Sequence, residues 1–96
     1  MTETALLPLT TFTVVADASG STQNLGTVPG CVRLVSTVDC FVNFKSASAP
    51  TPATTEMFLP AYAPEYFNTR IGFPSDLYIG VITSSATGSL YATVMS

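Results

Sequence analysis

The sequence predicts an all-β protein, a small single-domain β-sandwich or jelly-roll-like barrel of about eight strands. Three observations lead there. Thr, Val, Tyr, Phe and Ile are abundant, the residue types that suit a pleated, half-buried surface. Seven prolines and six glycines punctuate the chain, at a spacing of about eight to twelve residues that marks short strands joined by turns. No window places apolar residues on one face of a helix. With 96 residues and 10.1 kDa there is material for one domain.

The elements follow in order. Residues 10–16 (TFTVVA preceded by Thr10) form a first strand, ended by Asp17-Ala-Ser-Gly20. Residues 23–28 form a short second strand, stopped by the turn dipeptide Pro29-Gly30. Residues 32–37 and 40–46 read as a hairpin turning at Val38-Asp39. In the second of these, Cys40, Val42 and Phe44 alternate with Phe41, Asn43 and Lys45. The uncharged run 46–55, rich in Pro, Ser, Thr and Ala, reads as a surface loop. Residues 57–59 and 66–69 are short strands around a Pro60/Pro64 connection. Residues 77–83 and 90–95 make a last pair across Ser84-Ser-Ala-Thr-Gly88. Residues 10–96 are thus one sandwich domain. Residues 1–9 read either as an N-terminal arm lying over a neighbouring chain or as a first core strand; Pro8 lacks a ladder donor and suits an arm or an edge.

Composition excludes several classes of function. Nine residues are charged, three of them cations, and there is no His. Three cations make no nucleic-acid footprint, since each neutralised phosphate needs its own Lys or Arg. Without His, the usual general base and nitrogen metal ligand are missing. No run of clustered carboxylates suits Ca²⁺, and no Gly-rich loop suits a phosphate. The expectation is a non-enzymatic protein with no cofactor and no metal. Glu56 and Glu65 are the one carboxylate pair to weigh for glycoside hydrolysis. Solvation of the ends of a greasy segment, or pairing with Arg33 or Arg70, accounts for them more simply.

The opening Met1–Leu9 has no basic n-region and its apolar run is broken by Pro8, so neither a signal peptide nor a membrane helix is expected there. Synthesis in a cytoplasm follows. Cys31 and Cys40 form no C-x-x-C. In the expected hairpin they lie about 20 Å of strand apart, whereas a disulfide needs Cα atoms within about 7 Å. Two separate buried thiols are expected.

Apolar content exceeds what one small core accommodates. Hydrophobic residues are 47% of the chain, and ten are Phe or Tyr. Leu77-Tyr-Ile-Gly-Val-Ile82 is apolar on both faces, where a strand with one wet face should alternate. Some of this surface must meet a partner. The candidates for an interface with such a partner are Leu6, Leu7, Leu9, Phe58, Leu59, Tyr62, Tyr66, Phe67 and Phe73. Tyr62, Tyr66, Phe67 and Phe73 also suggest a sugar-stacking platform, with Asn68 and Glu65 as the nearby polar groups.

A capsid enters through a resemblance. Val32-Arg-Leu-Val-Ser-Thr-Val-Asp-Cys-Phe-Val-Asn-Phe44, Pro52-Ala-Thr-Thr, Met57-Phe-Leu-Pro-Ala61, Pro64-Glu-Tyr-Phe67 and Ala86-Thr-Gly-Ser-Leu-Tyr-Ala-Thr-Val-Met-Ser96 together resemble small accessory proteins of tailed bacteriophage virions. The likeness is one of overall pattern over residues 30–96. It implies a capsid decoration, or cement, protein: a β-sandwich that sits on the head exterior as a homotrimer, with the major capsid protein as partner and the virion surface as location. No nucleic acid or membrane partner is implied. The alternative is a head-fibre, tail or receptor-binding module that recognises host glycan through the Tyr/Phe segment.

Overall fold

The computed structural model describes residues 8–28, 30–68 and 76–95. They form eight strands: β1 (Pro8–Ala16), β2 (Ser21–Gly26), β3 (Cys31–Ser36), β4 (Cys40–Ser46), β5 (Met57–Leu59), β6 (Glu65–Asn68), β7 (Leu77–Ile82) and β8 (Gly88–Met95). No helix occurs among the described residues. Two four-stranded sheets face each other, sheet A in the order β1-β8-β3-β6 and sheet B in the order β2-β7-β4-β5. Every pairing is antiparallel.

The pairings nest. First pairs with last (β1·β8), second with seventh (β2·β7), third with sixth (β3·β6) and fourth with fifth (β4·β5). The chain is therefore one long antiparallel ribbon, rolled so that β3 also joins β8 and β4 joins β7. That is the jelly-roll arrangement of a double-sheet sandwich. It corrects two local expectations. Residues 32–37 and 40–46 are not a hairpin, because β3 lies in sheet A and β4 in sheet B; the link through Val38 and Asp39 crosses between the sheets. Likewise β7 and β8 are not a pair. The crossing at Val38 is fixed by close approach: a Cβ on Gly88 would lie 2.8 Å from Val38 Cγ1 and 2.5 Å from Thr37 Oγ1. The Ser89 N–H also donates to Thr37 Oγ1 at 3.0 Å.

Alternation puts the core between the sheets. Val14 and Ala16 of β1, Leu90, Ala92 and Val94 of β8, and Val32 and Leu34 of β3 point inward from sheet A. Ile79 and Val81 of β7, Cys40 and Val42 of β4, and Leu59 of β5 meet them from sheet B. Each fully buried aliphatic contributes ~1.5–3 kcal/mol. Phe44 of β4 and Phe67 of β6 join the two sheets, with ring centroids 5.3 Å apart at 57°. Both cysteines are free and buried. The outcome is the expected one, though the geometry differs, since Cys31 and Cys40 stand on strands of opposite sheets.

The segment 47–56 is a strap over the outer face of sheet B. Pro50 is buried and Pro52 half-buried. Gly80, at the centre of β7, is what lets them approach: a Cβ there would stand 3.0 Å from Pro50 Cγ and 3.3 Å from Pro52 Cγ. The Asn43 side-chain amide donates to the Thr51 carbonyl at 3.1 Å, and the Ala47 N–H donates to the Asp76 carbonyl at 2.8 Å. The two-faced apolar pattern of β7 thus has an internal cause. Its outer face is covered by the chain itself.

Candidate functional site

With the centre of sheet B strapped over Gly80, the outer face of sheet A is an open β-surface among the described residues. Its composition follows from parity. In β1 the inward residues are Val14 and Ala16, so Thr11, Thr13 and Val15 point out. Register then builds rows across the sheet. Thr11, Thr93, Arg33 and Tyr66 form one row, and Thr13, Tyr91 and Val35 the next. The hydroxyls of Thr11 and Thr93 hydrogen-bond to each other at 3.0 Å. The Arg33 guanidinium lies over the Tyr66 ring, 6.0 Å from its centroid, and so is held flat against the sheet. Arg33 is the one formal charge in these rows. Val15 and Leu9 are each 54% exposed, Tyr66 59% and Tyr91 38%.

Most edges of the sandwich are poor sites for strand addition. β5 and β6 have three and four residues. β1 opens with Pro8 and a register shift before Thr10, and β2 ends in another between Asn24 and Gly26. Short edges, proline and bulges all discourage edge-to-edge pairing. The longest edge, β1, keeps an uninterrupted register over Thr10–Ala16.

The sequence-derived candidates separate on this frame. Leu9 and Tyr66 lie on or beside the outer face of sheet A. Tyr62 is 73% exposed on the β5–β6 connection, with φ +58° and its N–H bonded to the Ser36 carbonyl at 2.7 Å. Phe58 is half-exposed on the other sheet, against Phe41. Leu59 is fully buried and belongs to the core, because it pairs with inward Cys40. Phe67 faces inward against Phe44. Leu6, Leu7 and Phe73 lie outside the described residues. Tyr66 and Phe67 therefore point to opposite faces, and no single Tyr/Phe platform forms from the described members. Val15 and Tyr91 were not singled out from the sequence, although Thr11-x-Thr13-x-Val15 carries the alternation that exposes them.

The face presents threonine hydroxyls, valine and tyrosine side chains and one guanidinium. No group of three or more His, Cys, Asp or Glu side chains among the described residues is placed to hold a metal ion, and no helix is long and apolar enough to cross a membrane. Glu65 begins β6 in sheet A, whereas Glu56 precedes β5 in sheet B. The Cys40 thiol is pushed up by burial, opposed by its hydrogen bond with Ser36 and aided by the Asp39 charge. A thiol held protonated is a poor nucleophile. No protein-family model, curated protein or solved structure matches the chain.

Proposed function

We propose that the chain is a non-enzymatic phage virion structural protein that decorates and cements the capsid exterior as a homo-oligomer, a trimer by preference. Its partners are further copies of itself and the major capsid protein, and it is made in the host cytoplasm before joining the virion surface. The observation that carries this reading is the contrast between the two sheets. One outer face is strapped at its centre by Pro50 and Pro52, with Met57 and Phe58 exposed only on its edge strand β5, and the other is left open with Leu9, Val15, Tyr66 and Tyr91 exposed.

Size argues for many contacts at once. Four strands about 4.8 Å apart and about seven residues long at ~3.3 Å give a footprint of roughly 400 Å². A standard stable interface buries about 800 Å² per partner. One such face is too small to hold a partner tightly, but several copies engaging a lattice together gain avidity without new contacts. Binding to the assembled shell and not to its parts then stabilises the shell by RT ln(1 + [L]/Kd), ~2.7 kcal/mol per site at a hundredfold excess over Kd.

The test pairs sedimentation velocity of the purified chain with co-sedimentation on expanded phage shells. Oligomers that bind shells and raise their melting temperature are expected. Val15→Lys and Tyr91→Lys, both outward, should preserve the circular dichroism spectrum and abolish binding. A wild-type chain that stays monomeric and leaves shells unbound overturns the proposal.

A further inference from the structure

A separate groove lies on the sheet B side, at the end of the sandwich away from the strap's anchor at Asp76. It is a cavity of about 270 Å³ lined by Asp39, Phe41, Phe58, Ser84, Ser85 and Ala86. Separate stretches of chain bring these residues together. The β3–β4 link supplies Asp39, just before β4, and β4 supplies Phe41 on its outward face; β5 supplies Phe58 directly opposite Phe41; and the β7–β8 loop supplies the two serines and the alanine. Phe41 is also paired with Ile82, the last residue of β7, so the loop leaves the sheet beside the rings.

Each wall is fixed before any ligand arrives. The Asp39 carboxylate accepts the Ala61 N–H on Oδ1 at 2.7 Å. Its Oδ2 has no hydrogen bond among the described residues. The two rings pack at 5.4 Å and 57°, and Phe58 remains half-exposed. The loop is tied by the Thr83 hydroxyl, which donates to the Ala86 carbonyl, and by the Thr83 N–H, which donates to the Asp17 carbonyl at 3.0 Å.

The chemistry selects a ligand class. No cation lines the groove, so phosphate and carboxylate ligands lack a counter-charge. The lining holds two rings packed against each other, not the enclosing aromatic cage that holds a quaternary ammonium. A half-exposed phenyl ring, a fixed carboxylate and two lining serines suit a neutral ring with an apolar face and a hydroxylated edge. The volume falls just under the 300–1,000 Å³ of drug-sized ligand sites, which fits one sugar ring and not a chain of them. We propose that this groove is a carbohydrate-binding site for a single neutral hexose unit, with the sugar's C–H face on Phe58 and its hydroxyls donating to Asp39. The site is independent of the sheet A face and stands whether or not the chain binds capsids.

The experiment is NMR titration of the isotope-labelled full chain with the methyl glycosides of glucose, galactose, mannose and N-acetylglucosamine. Saturable shifts at Phe41, Phe58, Ser84 and Ser85 are expected for at least one of them at millimolar affinity, with saturation transfer strongest to the C–H protons of one sugar face. Asp39→Asn keeps the acceptor for Ala61 but loses the charge, and should weaken binding about tenfold. Phe58→Leu keeps apolar volume without the flat ring and should abolish the saturation transfer. The proposal is overturned if no glycoside gives a saturable shift up to about 50 mM, well beyond the millimolar range. It is equally overturned if Asp39→Asn binds as well as wild type, or if tetramethylammonium occupies the groove and the glycosides do not.

Discussion

Replacing Gly80 with alanine tests how the open face arises. Gly80 lies in the middle of β7 without a left-handed φ, so the strand backbone itself accepts a side chain. Removing a glycine from a strand should by itself stabilise the fold by roughly 0.5–1 kcal/mol. The surroundings oppose this. The new methyl would stand 2.5 Å from Asn43 Oδ1, 3.0 Å from Pro50 Cγ and 3.3 Å from Pro52 Cγ. Asn43 must swing away and give up its bond to the Thr51 carbonyl, a loss of about 0.5–1.5 kcal/mol. Overpacking the prolines adds about 1–3 kcal/mol. The net is a destabilisation of about 0.5–4 kcal/mol, and each kcal/mol lowers Tm by roughly 4–8 °C in a domain of this size. Limited proteolysis supplies the second readout, because a lifted strap should be cut within residues 47–56. Gly26→Ala is the control: φ is +74° and nothing lies within 4 Å, so it incurs backbone strain of about 1–2 kcal/mol and leaves the strap uncut. A Gly80→Ala protein that melts at or above the wild-type temperature, with the strap still resistant, would refute the covering role of Pro50 and Pro52.

Three further outcomes are expected. Phe67→Asp places a carboxylate against Phe44 between the sheets and should cost about 2–4 kcal/mol, whereas Ser48→Asp on the exposed side of the strap should leave chemical denaturation unchanged; an aggregated Ser48→Asp protein would contradict the strap geometry. Because burial raises the Cys40 thiol in the folded state, its contribution to stability is complete below the free-thiol value near 8.5. It is lost as pH rises from there through the raised folded value, so denaturation midpoints under reducing conditions should fall faster above about pH 8.5 in wild type than in Cys40→Ala. Finally, association through a face whose rows hold one charge should not weaken when ionic strength rises from about 0.1 to 1 M, because screening removes only the repulsion between copies of net charge −3; dissociation by salt would show that charge pairs hold the oligomer.

Strand positions were legible in the sequence and strand partners were not. Alternation in Leu90-Tyr-Ala-Thr-Val-Met95 and in Cys40-Phe-Val-Asn-Phe-Lys45 locates β8 and β4 to within a residue or so. A short link such as Thr37-Val-Asp39 favours a hairpin on local grounds, since consecutive strands usually neighbour one another. Here the link spans the sandwich, held by contacts from Gly88 and Ser89, some fifty residues away in the chain. Nothing within the local window encodes that. The same holds for β1, whose partner is the last strand. For the surface, hydrophobicity alone marks Leu59 and Phe67 as strongly as Leu9 and Tyr66. Only register separates them, because Leu59 lies opposite inward Cys40 while Tyr66 lies opposite outward Arg33. The groove at Asp39 joins residues from the β3–β4 link, β4, β5 and the β7–β8 loop, so it has no sequence signature at all.

The strap also changes what the surplus of apolar residues means. Read from the chain alone, Leu77-Tyr-Ile-Gly-Val-Ile82 demands a partner; in the fold, Gly80 and the two prolines satisfy that demand internally. The total surface agrees, since 5220 Å² is close to the roughly 5,300 Å² expected for a monomer of 10.1 kDa. The molecule is therefore not short of burial. What sets it apart is where the remaining apolar area lies and how little charge surrounds it. In the rows of sheet A, Thr11, Thr13 and Thr93 present hydroxyls and methyls, Arg33 is laid over Tyr66, and Val15, Val35 and Tyr91 fill the gaps. Such a face lacks the like charges that keep ordinary β-sheets apart in solution. On the proposed reading the partner meets one face of one sheet, and substitutions confined to that face are the ones that should separate assembly from folding.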